Sequence, residues 1–332
     1  MKHLALPDNR IRRLPFYLAM EEWAARQLPP DDYFFAWRTA PTVICGRHQE
    51  MEKEVDMAFC RAHGIDVCRR RSGGGCVYAD MNNWMFSYIT PGDEVTTTFA
   101  AYTGMIAEML ASLGFEASAT GRNDIFIKGR KVAGNAFYHL PGRSVVHGTM
   151  LYDTDIATMS RAITPTKAKL ESKGVKSVAS HVTSLKAEGI SMSVEEFGRY
   201  AVQHLTEGAP LVLTPSQLRE IETIEQGYYE PAFLAGRFRE PASAANSPLV
   251  RKRRIEGVGD FCVAIGTDSG GRISSVGISG DFLLTGDLER GIVARLNGLK
   301  YDKETIAAAL ADIDPTEVIA GLSREQLITL LI

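Results

Sequence analysis

Apolar residues at Leu14, Leu18 and the Met20/Trp23 pair recur with the spacing of one helical face, which predicts a helix over Leu14–Gln27. Two short apolar runs bounded by turn residues, Tyr33–Trp37 and Thr42–Cys45, predict strands. A polar helix over about Met51–His63 and a strand at Ile65–Cys68 follow, and this strand runs into a loop, Arg69–Gly75. Extended structure resumes at Val77–Tyr78 and Trp84–Thr90. The clearest helical stripe joins Phe99, Tyr102, Met105, Ile106, Met109, Leu110 and Leu113, a helix over Thr97–Leu113, with Gly114 where a left-handed C-terminal cap is wanted. Ile125–Ile127, Val132–Tyr138 and Ser144–Tyr152 are further strands, the first two joined by hairpin chemistry at Lys128-Gly129-Arg130.

From Thr164 to Ser180 the chain is basic and loop-like, with Lys167, Lys169, Lys173 and Lys176. Ser193-Val194-Glu195-Glu196 is a capping-box start for a helix reaching about Leu205. Pro, Ala, Ser and Asn crowd between Arg239 and Pro248, the chemistry of a linker. Beyond it lies a small α/β unit: Phe261–Gly266 and Arg272–Ile278 pair across Ser269-Gly270-Gly271, with helices near Leu288–Leu296, Lys303–Leu310 and Ser323–Leu331. The run Arg251-Lys252-Arg253-Arg254 reads as a solvated interdomain segment.

The 332 residues match about two domains at roughly 150 residues each, here 1–245 and 253–332. A formal charge of −3 supplies no global positive field for nucleic acid or an anionic membrane, so phosphate binding has to be local. No apolar run approaches the roughly 20 residues of a membrane span, and the N-terminus lacks a signal-peptide core, which predicts a cytoplasmic protein. The five cysteines contain no C-x-x-C pair, which argues against a disulfide framework or a structural zinc site. No H-E-x-x-H, G-x-S-x-G, Walker A or dinucleotide fingerprint occurs.

Local phosphate chemistry is present nonetheless. Arg69-Arg70-Arg71-Ser72-Gly73-Gly74-Gly75-Cys76-Val77 delivers arginine forks and then residues whose backbone N–H groups can converge on an anion. A second constellation is Gly121-Arg122-Asn123-Asp124, one strand, then Gly129-Arg130-Lys131-Val132-Ala133-Gly134-Asn135-Ala136. Lys131 at a strand start can aim its ammonium at a carboxylate or an α-phosphate, and Asp124 can hold Mg²⁺ or orient a nucleotide. The third is Val146-His147-Gly148-Thr149, where a lone strand histidine reads first as a hydrogen-bonded structural residue.

In this order, these segments resemble lipoate–protein ligases of the biotin/lipoate ligase and acyltransferase superfamily. The matching stretches are Thr42–Gln49, Arg-Arg-x-Ser-Gly-Gly-Gly at 69–75, Gly-Arg-Asn-Asp at 121–124, Arg-Lys-Val-Ala-Gly-Asn-Ala at 130–136 and His-Gly-Thr at 147–149. Lys173–Val178 and Val182–Leu185 match the adenylate loop, and Gly280-Asp281-Phe282 with Leu296–Tyr301 match the accessory domain. The resemblance implies an α+β (α/β) fold: a large mixed-sheet catalytic domain plus a small α/β accessory domain. It implies ATP-dependent activation of lipoate to lipoyl-AMP and transfer to a lysine of a lipoyl domain. Lys131 would be catalytic. Arg70, Ser72, Gly73, Gly74, Gly75, Cys76, Val77, Tyr78, Asn123, Asp124, Lys131, Gly134 and His147 would bind ATP and lipoate, with Mg²⁺ on Asp124. Its partners would be lipoate, the lipoyl domains of 2-oxoacid dehydrogenase E2 subunits and the glycine cleavage H protein, without nucleic acid or membrane, and the protein would be a monomer.

The chain departs from the family pattern in places. Ser177-Val178-Ala179-Ser180-His181-Val182 lacks the two arginines usual in the adenylate loop, Ala79 replaces a frequent histidine, and Tyr228-Tyr229-Glu230-Pro231 replaces a Trp-rich stretch. These changes leave a non-activating lipoate- or adenylate-binding protein as one alternative. A lipoyl or octanoyl transferase, the other, needs a cysteine nucleophile, and none lies between Cys76 and Cys262.

Overall fold

The computed structural model describes residues 1–92, 95–119, 123–163, 182–236 and 248–332. The adenylate-loop segments at 164–181, Gly121 and Arg122, and the linker over 237–247 lie outside them. The chain divides into two compact units. The first comprises Met1–Cys45, Met51–Arg70 and Cys76–Leu234; the second comprises Gly46–Glu50, Arg71–Gly75 and Ala235–Ile332.

In chain order the first unit contains β1 (Lys2–Ala5), α1 (Leu14–Gln27), β2 (Tyr33–Trp37), β3 (Thr42–Cys45), α2 (Met51–Glu54), α3 (Met57–Ala62), β4 (Asp66–Arg69) and β5 (Val77–Ala79). It continues with β6 (Asn83–Pro91), α4 (Val95–Ser112), β7 (Ala117–Ala119), β8 (Asp124–Ile127), β9 (Arg130–Leu140), β10 (Arg143–Leu151) and α5 (Ile156–Ala162). It ends with α6 (Val194–Leu205), β11 (Leu211–Val212), α7 (Pro215–Gln226) and α8 (Pro231–Ala235). Among the described residues, eight strands form a mixed sheet in the order β11-β1-β2-β6-β10-β9-β8-β7. β1 pairs parallel with both neighbours and the remaining pairs are antiparallel. A smaller sheet, β4-β3-β5, has one parallel and one antiparallel pair.

Helix α1 is buried almost all round from Leu14 to Ala25, including Glu21 and Glu22, instead of along a single face. It lies between the large sheet, through β6 and β10, and α7, so both of its sides are covered. The helix expected over Met51–His63 is broken at Val55-Asp56, where the Asp56 carboxylate accepts the Phe59 N–H (2.9 Å) and starts α3. Gly114 takes the left-handed φ of 87° that its place after α4 requires. The capping box at Ser193 forms with Glu196.

The second unit carries β12 (Leu249–Ile255), β13 (Gly259–Thr267) and β14 (Ile273–Gly280) in one antiparallel sheet. A π-helical turn (Glu289–Val293) runs into α9 (Ala294–Leu296), and α10 (Lys303–Ala309) and α11 (Arg324–Leu331) follow. Phe261, Phe282, Leu296 and Leu327 belong to its own apolar core. The basic run Arg251–Arg254, expected to be an interdomain segment, is instead the middle of edge strand β12. Long cations on an exposed edge suit a strand that must not pair further.

Candidate active site

Lys131 owes its position to the β8–β9 hairpin. Lys128 (φ 49°) and Gly129 (φ 74°) both adopt left-handed backbone, the geometry of a tight two-residue turn. The ladder then slips: Ile125 faces Ala133 and Phe126 faces Lys131, leaving Val132 as the extra residue of a bulge. Such a bulge re-aims the side chain beside it. The Lys131 ammonium lies 2.7 Å from Asp124 Oδ1, and both side chains are partly exposed. Asp124 is opposite Gly134 in the ladder, and the missing side chain there makes the room: a Cβ on Gly134 would fall 2.9 Å from Lys131 Nζ.

Next to this pair, Asn123 and Asn135 exchange hydrogen bonds. Asn123 Nδ2 donates to the Asn135 carbonyl (2.8 Å), Asn135 Nδ2 donates to the Asn123 carbonyl (3.0 Å), and the Asn135 backbone N–H donates to that same carbonyl (2.9 Å). The Asn135 amide lies over Gly148 of β10, where any Cβ would collide with it. The Thr183 N–H donates to the Lys131 carbonyl (2.8 Å), the Thr183 hydroxyl donates to Glu188 (2.8 Å), and Glu188 pairs with Arg130. The chain that follows residues 164–181 is therefore tied directly to the lysine's strand.

Two of the arginines expected to grip phosphate, Arg69 and Arg70, are buried. Arg69 is 1% exposed and donates through Nε to the Leu234 carbonyl (3.0 Å). Arg70 is 4% exposed; its N–H donates to the Cys45 carbonyl and its Nη1 to the Ile44 carbonyl, each at 3.0 Å. Burial lowers both guanidinium pKa values from the usual one. Strand β4 runs one residue further than the sequence pattern predicts and draws Arg69 into the small sheet. On β5, at the other edge of the small sheet, Val77 is half-buried and Tyr78 is buried, and burial, with Asp80 nearby, pushes the Tyr78 phenol up to about 12.

In the glycine loop, Ser72 is buried and its carbonyl accepts the Arg47 N–H (2.9 Å). Gly74, at φ 87°, donates its N–H to the Phe282 carbonyl (2.9 Å), and a Cβ on Gly73 would lie 2.5 Å from that oxygen. A Cβ on Gly75 would stand 3.7 Å from the Asp281 Cβ. Gly73 and Gly74 thus serve close backbone packing within the second unit as well as loop conformation.

His147 is buried, with Nδ1 2.8 Å from Glu21 Oε2. The other Glu21 oxygen accepts the Ser87 hydroxyl (2.5 Å), and Ser87 Oγ accepts the Trp37 indole N–H (2.9 Å). This chain joins α1, β2, β6 and β10, which is a structural hydrogen-bonding role. The sequence reading missed Glu21 and Ser87; an acidic residue inside the apolar stripe of α1 was the available signal. The structure brings Lys131, Asp124, Gly134, Asn123 and Asn135 together. Among the described residues no group of three or more His, Cys, Asp and Glu side chains stands ready to hold a metal ion.

Residues 14–206 match the model of the lipoyl protein ligase A/B catalytic domain, and residues 248–331 match the bacterial lipoate protein ligase C-terminus. Lipoate–protein ligase 1 of Staphylococcus aureus is 33% identical over 338 residues, covering 98% of this chain and 99% of the relative. The lipoate–protein ligase LplJ of Bacillus subtilis is 32% identical over 339 residues, 99% of each. In fold, the chain is similar to LipL1 of P. falciparum in complex with lipoate (TM-score 0.73, 17% identity, 98% of this chain and 97% of that one). It is also similar to lipoate–protein ligase A bound with ATP (TM-score 0.62, 21% identity, 71% of this chain and 99% of that one). With both domain types matched in order and full-length relatives at this identity, the chain belongs to the lipoate–protein ligase family.

Proposed function

We propose that this protein is an ATP-dependent lipoate–protein ligase. In the first step the lipoate carboxylate attacks the α-phosphorus of MgATP, pyrophosphate leaves and lipoyl-AMP forms. In the second, the amine of an acceptor lysine attacks the acyl carbon and AMP leaves. The first step brings two anions together, so it needs fixed positive charge and oriented donors instead of a protein nucleophile. The observation that carries this reading is the Lys131 ammonium, held by Asp124 in the niche that Gly134 clears. Asp124 fixes the lysine's direction until the substrate oxygens compete for its protons; Lys131 then neutralises first the lipoyl carboxylate and then the acyl-phosphate. Arg70 and the Gly75–Tyr78 backbone serve the nucleotide phosphates in this reading, and Asn123 serves the adenylate. One carboxylate, Asp124, suits magnesium carried by a triphosphate, because Mg²⁺ takes its remaining ligands from phosphate and water. The acceptors are lipoyl domains of 2-oxoacid dehydrogenase E2 subunits and the glycine cleavage H protein.

The test is pyrophosphate release from MgATP and R-lipoate without acceptor. Lys131→Ala is expected to lower the rate by about 10²-fold or more, the usual cost of removing a donor from developing charge. Release unchanged in Lys131→Ala overturns the role of the lysine, and no release from the wild type overturns the ligase reading in favour of binding alone.

A further inference from the structure

Strands β3 and β5 are antiparallel neighbours in which Thr42 faces Ala79, Val43 faces Tyr78 and Ile44 faces Val77. Continued by one step, that register sets Cys45 opposite Cys76. Their side chains do meet: the Cys76 sulfhydryl donates to Cys45 Sγ at 3.4 Å, and both are free thiols. Cys45 is fully buried at the end of β3, and Cys76 beside it is half-buried. We propose that Cys45 and Cys76 form a reversible redox pair whose disulfide fastens the root of the glycine loop.

The position gives the cross-link a consequence. Cys45 is the last residue of the first unit before Gly46–Glu50, and Cys76 is the first after Arg71–Gly75. A bond between them joins the points where both segments leave the small sheet. Closing the sulfurs from 3.4 Å to the roughly 2 Å of a disulfide brings them together by more than 1 Å, directly after the loop glycines and directly before Gly46.

The chemistry needs an external oxidant, here a peroxide. A thiolate of the pair attacks one peroxide oxygen, the O–O bond breaks, and hydroxide leaves, giving a sulfenic acid. The second sulfur then attacks the sulfenic sulfur, the S–O bond breaks, and water leaves with the thiol proton. Both sulfurs are oxidised, the two peroxide oxygens end as water, and a small dithiol reverses the change by exchange. The pair is disposed to lose its first proton. The hydrogen bond from Cys76 holds the Cys45 thiol below its ordinary value against the effect of burial, aided by the Arg69 and Arg70 guanidiniums, while the same bond and burial raise Cys76. Cys60 and Cys68 differ: burial pushes both thiols up.

The disulfide stands on this geometry alone; only its effect on adenylation rests on the ligase reading. The experiment treats the full-length protein with hydrogen peroxide, blocks residual thiols and maps peptides without reduction. The expected result is a cross-linked peptide containing Cys45 and Cys76, short of two hydrogen atoms and lost on treatment with dithiothreitol. In parallel, pyrophosphate release falls about 10- to 100-fold and returns on reduction, as a misplacement near 1 Å of binding groups predicts. Cys45→Ala and Cys45→Ser keep the rate under peroxide, whereas Cys262→Ala remains sensitive. Independent oxidation of Cys45 and Cys76 without a cross-link overturns the pair. A cross-link that leaves adenylation unchanged overturns its regulatory consequence, and a cross-link in a protein without adenylation upholds the pair while overturning the ligase reading.

Discussion

At residue scale, Gly134 is a position where chemistry and space meet. A Cβ there would lie 2.9 Å from Lys131 Nζ and 3.0 Å from its Cε. The far end of a flexible side chain can yield, so Gly134→Ala is expected to move the ammonium off Asp124 and leave the strand intact. Adenylation should fall about 10- to 100-fold. Stability should move by no more than about 0.5 kcal/mol, as for changes that disturb no core. Pyrophosphate release beside a thermal melt separates the two, and a large loss of Tm with normal activity would refute this account of the glycine. The nearness of Lys131 and Asp124 was legible because both flank one hairpin, and the structure sets them 2.7 Å apart. The purpose of Gly134 was not, because a glycine in a motif does not reveal which side chain passes over it. The burial of Arg70 was hidden for a related reason. A run of arginines does not reveal which of them the fold buries; here Arg70 is buried and its Nη1 donates to the Ile44 carbonyl.

At the scale of elements, the sequence pattern located α1 residue for residue but not its surroundings. The second cover, α7, is polar along much of its length and escaped the periodicity, although Thr214-Pro215-Ser216-Gln217 is a capping box with proline in the first turn. Covered on both sides, α1 turns Glu21 inward, where it accepts the Ser87 hydroxyl and pairs with His147 Nδ1. Glu21→Ala removes this acceptor from both groups. The expected cost is about 1–3 kcal/mol for each buried polar group deprived of a partner. Glu21→Gln, which keeps an acceptor oxygen, should cost less. Denaturant unfolding of the two variants checks the order; equal and negligible losses would show that the network does not support the packing of α1 on the sheet. Strand β12 was missed for the opposite reason. Its alternation is hidden under four consecutive cations, which the structure puts at a sheet edge.

For the whole molecule, the Pro/Ala/Ser/Asn stretch and the separate strand–helix pattern after it predict two parts, and the chain divides into two compact units with bounds of their own. What a local pattern cannot disclose is that Gly46–Glu50 and Arg71–Gly75 join the second compact unit, since their partners lie some two hundred residues away. Within that unit Gly280 N–H donates to the His48 carbonyl (3.0 Å), Ser279 Oγ donates to Glu50 (3.0 Å), and the His48 ring stacks on Phe282 at 5.3 Å. Gly73 is a tight point of this assembly. An added Cβ would meet the Phe282 carbonyl at 2.5 Å and the Leu283 Cα at 3.2 Å, and backbone on both sides has no flexible end to yield. Gly73→Ala should therefore open the Gly74 N–H to Phe282 carbonyl bond and cost about 1–3 kcal/mol, the range for overpacking a close contact. Hydrogen exchange should accelerate in peptides carrying the Gly74 and Gly280 amides, while the amides of Val263–Ile265 inside β13 keep their protection. Acceleration confined to Gly74 would mean that the two segments are held independently. Unchanged exchange at both amides would mean that the loop accommodates a side chain, and that its glycines are set by the needs of the phosphates alone.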